Sequence, residues 1–153
     1  RSRHVLHLCA GSGSVPNLSI LKDSLHRHAR LRHTFLYSNR TWRDVIFRDE
    51  LAEIRARHPD RLRVVHSLTR EPDPAPHGGD VRSGRIGPDL LQEVLSVELD
   101  SLVYVCGPAV TVRERRQARA EGIVPAPRFI ETMLSHLETL GVARERIKVE
   151  SYG

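Results

Sequence analysis

The chain contains 153 residues, 39% apolar and 28% charged, which predicts a single folded domain and excludes a disordered chain. No apolar run approaches the length of a transmembrane helix, so we expect no membrane partner. The formal net charge is +5, with arginines in nearly every segment. Because few aromatic residues accompany them and no nucleic-acid motif is present, the charge favours a solvated basic surface over nucleic-acid binding. An attraction for phosphates or for an acidic protein stays open.

Cysteine and histidine usage argues against a disulfide framework and against a metal centre. The two cysteines, Cys9 and Cys106, have no metal-like spacing, and a reducing cytoplasm is therefore the expected compartment. Nine histidines are present. Neighbours such as His4 and His7, three apart on a predicted strand, should point to opposite faces. The sequence therefore predicts no metal site.

Strand and helix patterns alternate along the whole chain. In chain order they are a strand over 4–9, a helix over 16–30, a strand over 34–38, a helix from about 44 to 58, a strand over 62–68, a helix over 88–95, a strand over 101–106, a polar helix ending near 121, a helix over 128–140 and a strand over 147–150. This alternation predicts an α/β fold, a doubly wound five-stranded parallel sheet with helices on both faces and right-handed crossovers.

The connections add local detail to this prediction. Pro16 stands at the favoured first position of the first helix. Thr41 or Asp44 is a candidate cap for the second helix. Residues 71–87, rich in proline and glycine, predict a long surface loop.

Two glycine-containing segments at the ends of predicted strands are expected to meet at one edge of the sheet. The loop 10–14 follows the first strand, and residues 106–108 (Cys-Gly-Pro) end the fourth. Ligands of doubly wound sheets bind beyond the carboxyl ends of the strands, where the strand order reverses. Gly11 and Gly13 allow close approach of the backbone, and the helix near Pro16 directs free N–H groups toward an anion. The loop lacks the G-x-G-x-x-G, P-loop and G-x-S-x-G patterns, so by itself a tight structural turn explains it equally well.

Several motifs, in order, resemble those of the ferredoxin–NADP reductase family. Residues 10–16 (Ala-Gly-Ser-Gly-Ser-Val-Pro) are similar to its Gly-Gly-Ser/Thr-Gly-x-x-Pro loop, with Ala10 in place of the first glycine. Further matches are residues 36–51 with the second strand and helix, 69–71 with a Ser-Arg-Glu stretch, 84–86 with a Gly-Arg-Ile element, 103–108 with the Cys-Gly-Pro motif and 150–152 with a terminal acid and aromatic. Together they read most like reductases that feed aromatic-ring or CoA-thioester oxygenases.

The resemblance implies a Rossmann-like NAD(P)-binding module over residues 1–153. The family's flavin-binding barrel is expected before Arg1 and is not in this sequence. The chain would then be one half of an enzyme, with FAD held mainly by a partner flavin-binding domain.

The same resemblance implies a place for each phosphate of the coenzyme. The pyrophosphate would be held by Gly11, Ser12 and Gly13. Thr69 and Arg70 would contact the adenosine 2′-phosphate, with Arg40 as a helper, because a guanidinium grips phosphate through two hydrogen bonds. NAD-specific sites commonly carry an acid near the end of the second strand, and residues 38–40 (Ser-Asn-Arg) contain none. We therefore expect NADP(H) to be favoured over NAD(H).

The resemblance also implies where the reaction occurs. Cys106, Gly107 and Pro108 would lie beside the nicotinamide. Glu150 and Tyr152 correspond to the family's terminal acid and to the aromatic residue that shields the flavin. No side chain forms a covalent intermediate, since the cofactors carry the chemistry and the protein supplies position and electrostatics.

The predicted function is that of the NADPH-binding domain of a flavin-dependent reductase. It would position NADPH for hydride transfer to FAD, and electrons would pass on to an acidic iron–sulfur acceptor, a ferredoxin or an oxygenase. One alternative is a stand-alone nucleotide-binding module that senses redox state without catalysis. A second is an unrelated doubly wound protein, such as a flavodoxin-like or hydrolase scaffold.

Overall fold

The computed structural model describes residues 2–95 and 100–152, and the sheet within them has six strands. They are β1 (His4–Ala10), β2 (Arg32–Asn39), β3 (Leu62–Leu68), β4 (Val81–Ser83), β5 (Leu102–Pro108) and β6 (Ile147–Tyr152). Their order across the sheet is β4-β3-β2-β1-β5-β6, and every neighbouring pair is parallel. The chain moves outward from β1 to β4 and then returns to β5 on the other side of β1. The strand order therefore reverses between β1 and β5.

Helices cover both faces of this sheet. They are α1 (Ser14–Arg27), α2 (Arg48–Arg57), α3 (Pro88–Leu95), α4 (Val112–Ala120) and α5 (Phe129–Thr139). Apolar side chains of α1 and α2 belong to one core cluster, and those of α3 and α5 belong to another. The doubly wound arrangement predicted from the sequence is confirmed.

The strands contribute to both clusters because successive side chains point to opposite faces. In β1, Leu6 and Leu8 pack with α3 and α5, whereas Cys9 packs with α1 and α2. In β2, Leu36 packs with α3 and α5, whereas Phe35 packs with α1 and α2. All five side chains are fully buried. Such near-continuous burial is typical of parallel strands between two helical layers.

The predicted number of strands was wrong. β4 lies within residues 71–87, which the sequence predicts to be a loop, and it forms one edge of the sheet beside β3. Its three residues are Val-Arg-Ser, so no apolar run marks it. The strand forms because its ends are tied to β3: Gly84 N donates to Leu68 O at 2.8 Å, and Ser67 Oγ donates to Gly84 O at 2.6 Å.

Two helix starts also differ from the prediction. α1 begins at Ser14, which makes Pro16 its third residue instead of its first. Thr41 and Asp44 do not cap α2. Thr41 precedes a separate 3₁₀ turn, Trp42–Asp44, and Thr41 N donates to Oδ2 of Asp44, the last residue of that turn, at 3.0 Å. α2 begins only at Arg48.

Candidate functional site

The loop after β1 meets the end of β5 at the carboxyl edge of the sheet. Cys9 in β1 is the register partner of Cys106 in β5, and residues 11–13 form a 3₁₀ turn that leads directly into α1. A Cβ atom placed on Gly13 would lie 2.4 Å from Cys106 O and 2.7 Å from Cys106 C. Only glycine fits this approach, so the two segments singled out in the sequence are packed backbone to backbone.

Buried hydroxyl groups fix the shape of this loop. Gly11 adopts φ +54°, a conformation that glycine reaches without steric cost. Its carbonyl oxygen lies 2.9 Å from Tyr37 Oη and 2.9 Å from Ser14 Oγ, and the two hydroxyl groups are 2.9 Å apart. Tyr37 and Ser14 are fully buried. The loop therefore holds its shape through its own contacts, and Ser12 is left exposed at its tip.

The N-terminus of α1 is open to an anion. No side chain in the described ranges caps it, and its first turn contains no acid. The first N–H groups of a helix have no partner within the helix, and the helix dipole gives this end a partial positive charge. Ser14 N already donates to Gly11 O and Ser12 O of the preceding 3₁₀ turn. A phosphate would therefore approach the N–H groups at the start of that turn, at residues 11–13.

A second group of predicted residues lies where β2 and β3 end. Thr69 N donates to Asn39 O at 2.9 Å, and Arg70 N donates to Arg40 O at 2.8 Å, so the two turns are joined by their backbones. The side chains of Arg40 and Arg70 are exposed, and among the described residues neither forms an ion pair or a side-chain hydrogen bond. Two guanidinium groups are thus held on adjacent turns and are free to receive a phosphate.

The remaining predicted residues lie at the ends of β5 and β6. Cys106 and Glu150 are register partners, and Pro108 pairs with Tyr152. The side chain of Tyr152 lies outside the described residues, so its predicted shielding of a flavin stays a prediction. A Cβ atom on Gly107 would lie 2.5 Å from the Phe129 ring, so a side chain at position 107 would clash with that ring.

Cys106 lines a groove between α1, β5 and β6 together with Tyr104, Asn17 and Glu150. Burial, with a smaller contribution from the Glu150 carboxylate, raises the pKa of the Cys106 thiol. The group is therefore a neutral thiol at physiological pH and not a nucleophile. This agrees with a role in packing against a bound ring.

The structure also contains a series of hydrogen-bonded, buried polar side chains near the loop, which the sequence-based prediction did not include. Asn17 Oδ1 lies 3.3 Å from His7 Nδ1, His7 Nε2 lies 3.1 Å from His33 Nδ1, and His33 Nε2 lies 3.3 Å from Ser24 Oγ. Burial lowers the pKa of His7 to about 3 and that of His33 to about 4. The sequence does show a histidine, His7, within an apolar strand. Its partners Asn17 and His33 come from α1 and β2, and no local sequence pattern identifies them.

The clamp between the β2 and β3 turns was also unforeseen. Glu71 Oε2 accepts from Trp42 N at 2.6 Å, and Glu71 Oε1 pairs with His77 Nε2. The His77 ring stacks on Trp42 with centroids 4.8 Å apart. Glu71 thereby ties the segment after Arg70 to the turn after Arg40.

The described part of the chain contains neither a metal site nor a membrane-spanning helix. No group of three or more His, Cys, Asp or Glu side chains within residues 2–95 and 100–152 is arranged to hold a metal ion. None of the helices formed by these residues has both the length and the apolar character required to span a bilayer.

Comparison with known proteins identifies one matching family. The family described as "Oxidoreductase NAD-binding domain" matches residues 8–116. This stretch contains the loop after β1, the turns after β2 and β3, and the Cys-Gly-Pro end of β5.

Individual relatives are consistent with that match. The chain is 38% identical over 109 residues to nitrate reductase (NADPH) from Leptosphaeria maculans, covering 71% of this chain and 12% of that protein. It is 34% identical over 148 residues to the ferredoxin reductase component of 3-ketosteroid-9-alpha-monooxygenase from Mycobacterium tuberculosis, covering 97% and 37%. The flavohem-like FAD/NAD binding domain of nitric oxide dioxygenase from Vibrio cholerae has a TM-score of 0.72 at 25% identity, covering 100% and 52%. The chain thus spans 37% or less of these two curated relatives.

Proposed function

Because this chain belongs to the oxidoreductase NAD-binding domain family of ferredoxin–NADP reductase-type flavoproteins, we propose that it holds NADPH for hydride transfer to FAD on a partner domain. One observation carries the proposal: Gly13 packs against the Cys106 carbonyl with no room for a side chain. That contact joins an anion-binding helix end to the strand end that would receive the nicotinamide.

The loop after β1 supplies the pyrophosphate site. Gly11, Ser12 and Gly13 surround the uncapped N-terminus of α1, and their backbone can approach a phosphate closely. Tyr37 and Ser14 hold the Gly11 carbonyl from below, so little conformational freedom is lost on binding.

Arg40, Thr69 and Arg70 supply the 2′-phosphate site. The joined turns present two exposed guanidinium groups that form no ion pair within residues 2–95 and 100–152, and charge-assisted hydrogen bonds to phosphate are stronger than neutral ones. Residues 38–40, at the end of β2, include no acid that could bind a ribose 2′-hydroxyl. The nearby carboxylates of Asp44 and Glu71 already accept hydrogen bonds from Thr41 N and Trp42 N. These features favour NADPH over NADH as the coenzyme.

The ends of β5 and β6 position the nicotinamide. The neutral Cys106 thiol and the narrow turn at Gly107 and Pro108 would pack against the ring, and Glu150 would place a carboxylate at the mouth of the groove. FAD, when bound by the partner domain, supplies the two-electron acceptor. The chain contributes orientation, because hydride transfer requires donor and acceptor atoms about 3–3.5 Å apart. An acidic iron–sulfur protein, a ferredoxin or an oxygenase, is the proposed final acceptor.

Calorimetric titration of the chain with NADPH and NADH at fixed low salt tests the coenzyme assignment. We expect NADPH to bind at least about tenfold more tightly, a difference of roughly 1.4 kcal/mol, and Arg70→Ala to remove that preference while NADH affinity is unchanged. Arg57→Ala, which removes an exposed arginine of α2, is the control and should preserve the preference. Equal binding of both coenzymes by the unaltered chain would overturn the assignment of NADPH.

A further inference from the structure

The turns that carry Arg40 and Arg70 are joined by their backbones only at the point where both leave the sheet. Arg70 N donates to Arg40 O at 2.8 Å. Beyond these residues the chain continues as the 3₁₀ turn Trp42–Asp44 on one side and as the connection to β4 on the other. The ladder between β2 and β3 ends at this point, and the side chain of Glu71 links the two turns beyond it.

Both carboxylate oxygens of Glu71 have partners. Oε2 accepts from Trp42 N at 2.6 Å, and Oε1 pairs with His77 Nε2. The hydrogen bond from Trp42 N, with a smaller contribution from His77, lowers the pKa of the Glu71 carboxyl, so the group is a carboxylate at neutral pH. The main-chain carbonyl of Glu71 accepts from Ser83 Oγ at 2.8 Å, which ties the same residue to β4.

The ring of Trp42 is held by three further side chains. The His77 ring stacks on it with centroids 4.8 Å apart, and the His66 ring meets it edge-on at 5.0 Å. The Arg48 guanidinium carbon lies 5.4 Å from the Trp42 ring centroid. We call Glu71, Trp42 and His77 the Glu71 clamp. Because His66 belongs to β3 and Arg48 to α2, the clamp is fixed to the body of the fold as well as to the two turns.

The charge of Glu71 by itself would oppose phosphate binding. Its carboxylate follows Arg70 directly in the chain, and like charges repel a phosphate that binds nearby. The carboxylate is directed to Trp42 and His77, and within residues 2–95 and 100–152 it forms no ion pair with Arg40 or Arg70. Both guanidinium groups remain exposed. A favourable effect of Glu71 on phosphate binding would therefore have to come from geometry and not from charge.

We propose that Glu71 is a positioning residue for the 2′-phosphate of NADPH: the Glu71 clamp holds the turn of Arg40 against the turn of Arg70, so that both guanidinium groups contact the same phosphate. This inference rests on the proposed function and adds a residue that does not itself touch the coenzyme. Turns that are already in place lose little conformational entropy when the phosphate binds. NADH lacks this phosphate, so its binding does not depend on the clamp.

Calorimetric titration of Glu71→Ala with NADPH and with NADH at fixed low salt tests this role. We expect NADPH affinity to fall at least about fivefold and NADH affinity to change less than about twofold, because only the 2′-phosphate needs both turns in place. Charge alone predicts the opposite sign, since removal of an acid makes the site more positive. Glu53→Ala, which removes an exposed acid of α2, is the control matched in charge and should leave both affinities within about twofold.

Two further variants separate the clamp from charge and from general stability. Glu71→Gln keeps an oxygen that can accept from Trp42 N and an amide that can donate to neutral His77, so it should bind NADPH within about twofold of the unaltered chain. His77→Phe keeps a ring beside Trp42 but removes a partner of Glu71, and it serves as the test if Glu71→Ala does not fold. It should lower NADPH affinity at least about threefold and leave NADH affinity unchanged.

Trp42 is the only tryptophan of the chain, so its fluorescence reports on the clamp directly. In Glu71→Ala the emission should shift to longer wavelength, because the ring loses its anchor and gains contact with water. The far-UV circular dichroism should stay that of the folded chain. Glu71→Gln should keep the emission of the unaltered chain.

Unchanged or tighter NADPH binding by Glu71→Ala would overturn the proposal, and so would an equal loss of NADPH and NADH affinity. A loss in Glu71→Gln as large as in Glu71→Ala would also overturn it, because the charge and not the geometry would then be required. Arg70→Ala distinguishes this proposal from the function on which it rests. If Arg70→Ala leaves the coenzyme preference unchanged, both fail; if it removes the preference and Glu71→Ala does not, only the role of the clamp is wrong.

Discussion

Gly13 stands where the loop after β1 touches the backbone of β5. Its neighbour Gly11 requires glycine for a different reason: Gly11 has a positive φ and open space around it, whereas a side chain on Gly13 would strike the Cys106 carbonyl. Glycine is required at position 11 by the backbone conformation and at position 13 by packing. The two glycines should therefore respond differently to substitution.

Gly13→Ala tests the packing constraint. The added methyl group must displace the Cys106–Gly107 peptide, and overpacking of this kind costs about 1–3 kcal/mol of stability. Because the same contact positions the loop, NADPH affinity should fall as well. Ser19→Ala, at an exposed position of α1, is the control and should change stability by less than about 0.5 kcal/mol. Urea unfolding and NADPH titration measure both effects, and equal stability of the two variants would refute the packing argument.

Secondary-structure elements were predictable where the local sequence carries a clear pattern. The apolar run of β5 ends in Cys-Gly-Pro, and its expected meeting with the first loop is what the structure shows. β4 was missed because Val-Arg-Ser has no strand pattern and is held by Ser67 and Gly84. Contacts between distant segments, such as Glu71 with Trp42, have no signature in local sequence. The meeting of the first loop with the end of β5 was therefore predictable, and the contacts that support the candidate site around it were not.

The buried histidines of the strands make stability depend on pH. Burial lowers the pKa of His7 to about 3 and the pKa values of His33 and His66 to about 4. In the unfolded chain these groups take up protons near pH 6.5. As the pH falls from about 6.5 to 4, the unfolded state thus binds protons that the folded state does not. The free energy of unfolding should decrease over this window, by up to about 1.4 kcal/mol per pH unit for each histidine.

Urea unfolding at several pH values between 7 and 4 measures this slope. His66→Gln should make the slope shallower, because one buried imidazole is removed. His26→Gln, at an exposed position of α1, should leave the slope unchanged. The comparison uses the slope and not the absolute stability, so a general destabilisation of His66→Gln does not obscure it. Identical slopes for both variants would show that buried histidines do not control the acid response.

At the scale of the whole molecule, the site is open on one side. The groove lined by Cys106 and Glu150 lies on the face of the sheet that α1 and α2 share. The core under those helices is formed with β1, β2 and β3, and α1 meets β5 beside the groove. The proposed coenzyme site lies at this edge of the sheet, and the proposed flavin-binding domain would be placed beside it, against β5 and β6.

The proposed partnership of this chain with a flavin-binding domain leads to a last prediction. The chain alone should bind NADPH but should not oxidise it when free FAD and ferricyanide are added, because nothing in the described residues holds a flavin at the distance that hydride transfer requires. A flavin-binding domain of the same family, supplied separately with its FAD, should restore oxidation, measured as the loss of NADPH absorbance. Glu150→Gln and Cys106→Ser should lower that restored rate more than they lower NADPH affinity, since both residues are proposed to lie beside the nicotinamide and away from the phosphates. Oxidation by the chain alone would refute the two-domain proposal, whereas binding without restored turnover would favour a stand-alone module that senses the coenzyme.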